Sequence, residues 1–385
     1  MENKIKNPVV NEQQRLAQRK RQIRNWVILL SVIALMALVM VFINLLGSRG
    51  YTINATSLPC YAHQDVTVFQ DGVLYYDGAS IHFINASGCI EWSYPVGDGA
   101  SFSVSETHII VWAGSQLAIV DATGRSSYNR AMDDVIQFAR IGRKHAAIVT
   151  GDDLNPNVYI KDLQGAEIDT EINQFDGQLM LDCGFYGNSD EYMWTLSYDF
   201  YAPVVTSLLH TFQVGQMNTG IATITNHLPS KVVYVNDRLN IFTTQQLYTY
   251  DYRGVEDSSG KMLVYGWRYL DHSIPKRGTA KILLAPTSQA SSSGNGVNEL
   301  RVISTGFDRR YTLPTTCVGA AVDNDRIYAF SSGYLYSGKV DSQRFYTHQI
   351  PLADGRQVTG FVGLTNNGYA IVVSNNEVFS VSLPR

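Results

Sequence analysis

Eight histidines are the side chains best suited to bind a metal or move a proton near neutral pH: His63, His82, His108, His145, His210, His227, His272 and His348. None of them form H-x-H or H-E-x-x-H, the spacings that bring two imidazoles together locally, so no local zinc site is written into the chain. His82 and His210 lie inside strand-like runs, where they are expected to face solvent or a packing interface. The acidic turns GDDLNPN (151–157) and DNDR (323–326) lack the alternating ligands and sixth-position glycine of a calcium loop, and their Asp and Asn read as turn formers. There is no G-x-S-x-G elbow; a Ser-His-Asp triad assembled from distant residues stays open. Cys60, Cys89, Cys183 and Cys317 contain no C-x-x-C, which removes zinc knuckles and thioredoxin-like redox pairs. No catalytic, cofactor-binding or metal-binding residue is assigned.

The densest chemistry of another kind is DCGFYGNSDEYMWTLSYDFYAP, residues 182–203, with seven aromatic side chains. Exposed aromatics stack on sugars or anchor protein partners, whereas buried ones fill a core. Trp194 is assigned to packing. Tyr198, Phe200 and Tyr201, beside the Pro203 loop, are the candidates for an interface.

The elements that position these residues repeat. SIHFINASGCIEW (80–92) is an alternating strand, a polar turn with a glycine, and a second strand. It recurs at QLAIVDATGRSSY (116–128), NVYIKDLQGAEI (157–168) and QLYTYDYRGVE (246–256), and more loosely at 208–220, 299–311 and 334–346. The turn residues are Gly88, Gly124, Gly165, Gly215, Gly254, Gly306 and Ser342. Their mean spacing is about 42 residues, the period of a four-stranded propeller blade. Two strand-like runs precede each copy. After the last copy come three further strands whose fourth is missing, while YTINATSLPCYA (51–62) has no unit of its own. An open ring leaves two sheet edges unpaired, and pairing these two remnants closes it. The fold expected is all-β, an eight-bladed β-propeller closed by the N-terminal strand, with seven blades as the alternative. Cys60 and Cys89 then fall on outer strands of neighbouring blades, and Cys183 and Cys317 on inner strands three blades apart. All four are expected as free, mostly buried thiols.

The N-terminus differs from the rest. Residues 1–25 carry seven cations and two anions, although the net charge of the chain is −4. The remainder is therefore acidic and offers nucleic acid no electrostatic footprint. Trp26–Leu46 is an uncharged run of 21 residues. It is long enough to span the roughly 30 Å hydrocarbon core as a helix, and it exceeds the about 7–15 residues of a signal-peptide core. The expected organisation is a basic cytoplasmic tail (1–25) able to touch anionic lipid headgroups and a transmembrane signal-anchor helix (26–46). A short linker with the start of the closing strand (47–57) leads to an extracytoplasmic propeller (58–385).

At QLAIVDATGRSSY and SIHFINASGCIEW the sequence resembles the repeat of quinoprotein-type (PQQ-like) β-propellers. Asp121, Gly124, Gly88 and Trp92 match its Asp-x-x-Gly turn and closing tryptophan. The resemblance implies the fold; the quinoprotein cofactor site would need adjacent paired cysteines, which are missing, so no cofactor is expected. The overall plan is similar to an uncharacterised family of Gram-positive single-pass membrane proteins with an external propeller. The function expected is a non-catalytic, membrane-anchored scaffold that binds an envelope protein. The alternative is a ligand-binding or enzymatic propeller acting on a cell-wall saccharide or a quinone-like cofactor.

Overall fold

In the computed structural model, the described residues are 26, 30–40 and 52–384, apart from 172–173, 188 and 288–295. The chain divides into two compact units, Met1–Thr52 and Ile53–Arg385. In the first, residues 30–40 are helical and their side chains exposed. Among the described residues no helix is long and apolar enough to cross a membrane. The remaining positions of the Trp26–Leu46 run, and the whole basic tail, lie outside the described residues.

The second unit is an eight-bladed β-propeller: eight four-stranded antiparallel sheets, seven of which take their strands from consecutive chain. Blade one comprises Thr67–Phe69, Gly72–Tyr76, Ser80–Asn85 and Ile90–Pro95 in that order from the channel outward. Blade eight is the composite expected from the sequence. Gly360–Leu364, Tyr369–Ser374 and Glu377–Ser382 are completed by the N-terminal strand Ala55–Tyr61, with Ala55 opposite Val381 and Ser57 opposite Phe379. Leu58 and Cys60 of that strand pack with Val73, Tyr75 and Ile84 of blade one as well as with Ile371 and Val378. One strand thus pairs with the last blade and seals it to the first.

The middle strands of each blade are covered on both faces by neighbouring blades. Their sequences are accordingly continuous apolar runs rather than alternating ones, as in HIIVWA and QLAIVD of blade two, each with four consecutive buried residues. The outer strand of the same blade, SSYNRA, is mostly exposed.

The recurrent glycines mark the turn from third to fourth strand, and each of the six has a positive φ, from 69° to 86°. In blades one, two, three and five the turn is built the same way. The side-chain oxygen of Asn85, Asp121, Asp162 or Asp251 accepts two backbone N–H groups, from the residues two and four positions on. The glycine N–H then donates to the carbonyl of that same Asn or Asp. The glycine turns of blades one to five also dock on the outer strand of the preceding blade, whereas a Cβ on Gly306 of blade six would meet nothing within 4 Å. A Cβ on Gly124 would lie 2.8 Å from the Trp92 ring, one on Gly165 would overlap the Tyr128 ring, and one on Gly215 would lie 3.3 Å from Ile168. The Trp92 indole N–H donates to the Ala122 carbonyl at 2.9 Å, tying blade one to blade two.

All four cysteines are free; Cys60, Cys183 and Cys317 are buried and Cys89 is exposed. Two placements need correcting. Cys89 lies in the turn just before the outer strand Ile90–Pro95 and not on it. Cys317 ends the outer strand of blade six, Phe307–Cys317, opposite Val297, and is not on an inner strand. Cys183 does lie on an inner strand, Gln178–Tyr186 of blade four. Burial raises the thiol pKa of all three buried residues, to about 12 for Cys60 and for Cys317. Native protein is therefore expected to react with a thiol-specific chromogenic disulfide at one site, Cys89, and at four sites after unfolding. A second fast native thiol would contradict the burial of these strands.

Candidate interaction face

The two ends of the ring differ. One carries the turns between first and second and between third and fourth strands; the other carries the second-to-third turns and the connections between blades. The closing strand enters the ring on the first of these ends and leaves on the second, where the Ala62 N–H donates to the carbonyl of Asn376.

On the connection end, blade four exposes an apolar tip. Its second strand, Tyr192–Asp199, and third strand, Thr206–Gln213, are joined by residues 200–205. Asp199 shapes the turn by accepting the N–H groups of Tyr201 (3.0 Å) and Ala202 (3.2 Å). The turn leaves Phe200 58% and Tyr201 76% exposed, with their rings edge-on at 6.1 Å. Tyr201 lies over Gly177, where a Cβ would come within 2.5 Å of its ring. Val204 and Val205 continue the exposed surface, and the Asn226 N–H bonded to the Val205 carbonyl brings exposed Leu228 beside them. On the other side, Phe200 N–H donates to Gly177 O and Gly177 N–H to Leu154 O, so the tip is fastened to blade three. Of the three aromatic candidates, the structure places Phe200 and Tyr201 together at this tip. Tyr198 is half-buried within the strand, opposite Ser207 and Leu179. Trp194 is buried and packs with Leu209, Ile224 and Leu239.

Sequence reading did not single out Val204, Val205 and Leu228, and it took Asp152 and Asp153, in the acidic turn 151–157, for turn formers alone. Val204 and Val205 were visible as an apolar continuation of DFYAP, but Leu228 arrives through a different connection. Asp133, Asp134, Asp152, Asp153, Asp176 and Asp199 stand in or beside the connection-end turns of blades two to four, and these segments contain no lysine or arginine. All but Asp199 are exposed. The phenol of Tyr159 has a raised pKa, through burial first and then through the charges of Asp134, Asp133 and Glu167.

A concavity of a different kind is the channel, which widens to a cavity of about 1540 Å³ open to the opposite end. It is lined by the inner strands of blades six, seven and eight and by turns of blades one and two. Asp271 is its most buried carboxylate, at an irregularity in the inner strand of blade six. Its two oxygens accept the N–H groups of His272 (2.8 Å) and of Val322 in blade seven (3.0 Å). Burial raises its pKa. Because both oxygens are engaged with backbone, the group acts as a strut between blades. The His272 ring lies 2.6 Å from the Tyr269 hydroxyl, and burial lowers its pKa. Among the described residues no three His, Cys, Asp or Glu side chains converge as metal ligands.

No family model matches the sequence, and no curated protein matches it. Solved structures do. The C-terminal WD40 domain of Sif2 aligns with a TM-score of 0.56 at 11% identity, covering 87% of this chain and 100% of that one. Sqt1 from Saccharomyces cerevisiae gives 0.54 at 12%, covering 86% and 100%. BamB from Moraxella catarrhalis gives 0.50 at 12%, covering 86% and 98%. At these identities the likeness is one of fold: the chain is built like β-propellers.

Proposed function

We propose that the chain is a non-catalytic, membrane-anchored scaffold of the cell envelope that docks a protein partner on the connection end of its propeller, around blade four. The observation that carries this reading is the exposed pair Phe200 and Tyr201, continued by Val204, Val205 and Leu228 on a tip fastened by backbone hydrogen bonds. Rigidly held, desolvatable aromatics are the usual anchors of protein interfaces. The anchor is supported by the uncharged run Trp26–Leu46 behind a basic tail. The chain enters the ring at the opposite end, so a partner on the aromatic end leaves that entry free. The finer kinship with quinoprotein-type repeats is supported by the Asp121–Gly124 turn docked on Trp92.

The channel cavity favours a second reading, a ligand-binding or enzymatic propeller acting on a saccharide or quinone-like molecule. In-cell photo-cross-linking of the full-length protein separates the two. A photoreactive residue at Tyr201 is expected to give discrete protein adducts, and one at Asn324, in a turn lining the cavity, none. Silence at position 201, with a small molecule retained by the purified protein in native mass spectrometry, would replace the first reading by the second.

A further inference from the structure

The charge pattern around the apolar tip says what kind of partner it fits. Five exposed carboxylates and the half-buried Asp199 stand in or beside the connection-end turns of blades two to four, on the same end of the ring as Phe200, Tyr201, Val204, Val205 and Leu228. The turns themselves hold no lysine or arginine, the nearest exposed cations along the chain being Arg130, three residues before Asp133, and Lys231, three after Leu228. Backbone hydrogen bonds join the centre of this area into a single surface. They run from Leu154, beside Asp153, through Gly177, beside Asp176, to Phe200, beside Asp199. Such a rim repels anionic lipid headgroups and acidic proteins, and it attracts lysine and arginine. Aromatic and aliphatic side chains at its centre require apolar anchors in whatever docks there.

We propose that this face binds a cationic segment of a partner protein that presents apolar side chains between lysines or arginines. The proposal rests on the docking role given above and specifies the partner's chemistry. Apolar burial at the tip supplies the lasting contact, while the carboxylates select the sign of the partner and speed its arrival.

The test uses full-length protein in detergent micelles and two fluorescent twelve-residue peptides. One alternates leucine or phenylalanine with lysine; the other has glutamate at every lysine. The lysine peptide is expected to bind at least about tenfold more tightly, and raising salt from 0.05 to 0.5 M should weaken it by a similar factor. Combining Asp133→Asn, Asp134→Asn and Asp153→Asn should cost it roughly tenfold, mainly in association rate. Phe200→Ala with Tyr201→Ala should abolish binding and leave thermal unfolding unchanged, since both side chains are exposed. Equal binding of the two peptides, or lysine-peptide binding indifferent to these substitutions, overturns the proposal. If the peptides fail while position 201 still cross-links a defined protein, the docking role stands and the cationic partner is rejected. Cross-links only to a second copy of the chain would likewise reject it in favour of self-association.

Discussion

Gly165→Ala is expected to destabilise the propeller by about 2–4 kcal/mol, whereas Gly306→Ala, in the corresponding turn of blade six, should cost about 1 kcal/mol. Both residues have positive φ, 83° and 69°, so alanine meets the same backbone strain at each. The surroundings differ. Nothing lies within 4 Å of a Cβ at Gly306, while at Gly165 the new methyl would overlap the Tyr128 ring from the preceding blade. Tyr128 packs against Trp112, Leu117 and Leu163, so it cannot step aside without opening the seam between blades two and three. Denaturant unfolding of the two variants and of Tyr128→Ala combined with Gly165→Ala separates strain from overlap. The double variant should lose less than the sum of the two single losses, with a coupling of about 1–2 kcal/mol. Equal losses at Gly165 and Gly306 would show that docking of the turn contributes nothing.

That docking explains which features of the fold could be read from the sequence. The turn needs an Asn or Asp to cap two N–H groups and a glycine three residues on, and this chemistry recurs at Asn85, Asp121, Asp162 and Asp251. The residue beneath the turn is free to vary with the local shape. It is Trp92, then Tyr128, then Ile168, and Gly220 lies close to the Gly254 turn. The repeat is therefore sharp in its turns and blurred in its closing aromatic. Ring closure was legible because edge pairing must be satisfied: three strands at one end and a lone strand at the other admit one economical solution. Cys317 was misplaced because the outer strand of blade six runs eleven residues, Phe307–Cys317, past an irregularity near Val297. Strand pairing across a hairpin sets that length, and spacing along the chain does not report it. The candidate face divides in the same way. Phe200 and Tyr201 announce themselves as aromatics in a proline-bearing turn, but Leu228 and Asp153 come near them through the backbone bonds of Asn226 and Leu154.

His210 carries a cost that the sequence hid. It sits on the third strand of blade four, in one row with Thr195 and Cys183 on the adjoining strands. Phe175 and Phe212 lie against its ring, in the packed seam between blades three and four. The side chain is 4% exposed, and neither ring nitrogen has a hydrogen-bond partner among the described residues. Burial lowers its pKa from 6.5 to about 4. Between those values the unfolded chain holds a proton that the folded one does not, so stability must fall as pH falls from about 6.5 and level off below about 4. At about 1.4 kcal/mol per pH unit the loss amounts to ~3 kcal/mol from this residue. His108, His272 and His348, also shifted down by burial, add in the same direction. Asp271, shifted up, contributes in the opposite sense. His210→Leu isolates the imidazole. At pH 7.5 the variant should be more stable than the parent by about 1–2 kcal/mol, because an unpaired buried polar ring gives way to an apolar side chain of similar size. By pH 4.5 its advantage should grow by most of the ~3 kcal/mol linked to the proton. Urea unfolding followed by tryptophan fluorescence across that pH range reads both effects. A destabilised variant at pH 7.5 would mean that the ring nitrogens are hydrogen-bonded in solution. Parallel pH profiles for parent and variant would assign the acid sensitivity to other groups.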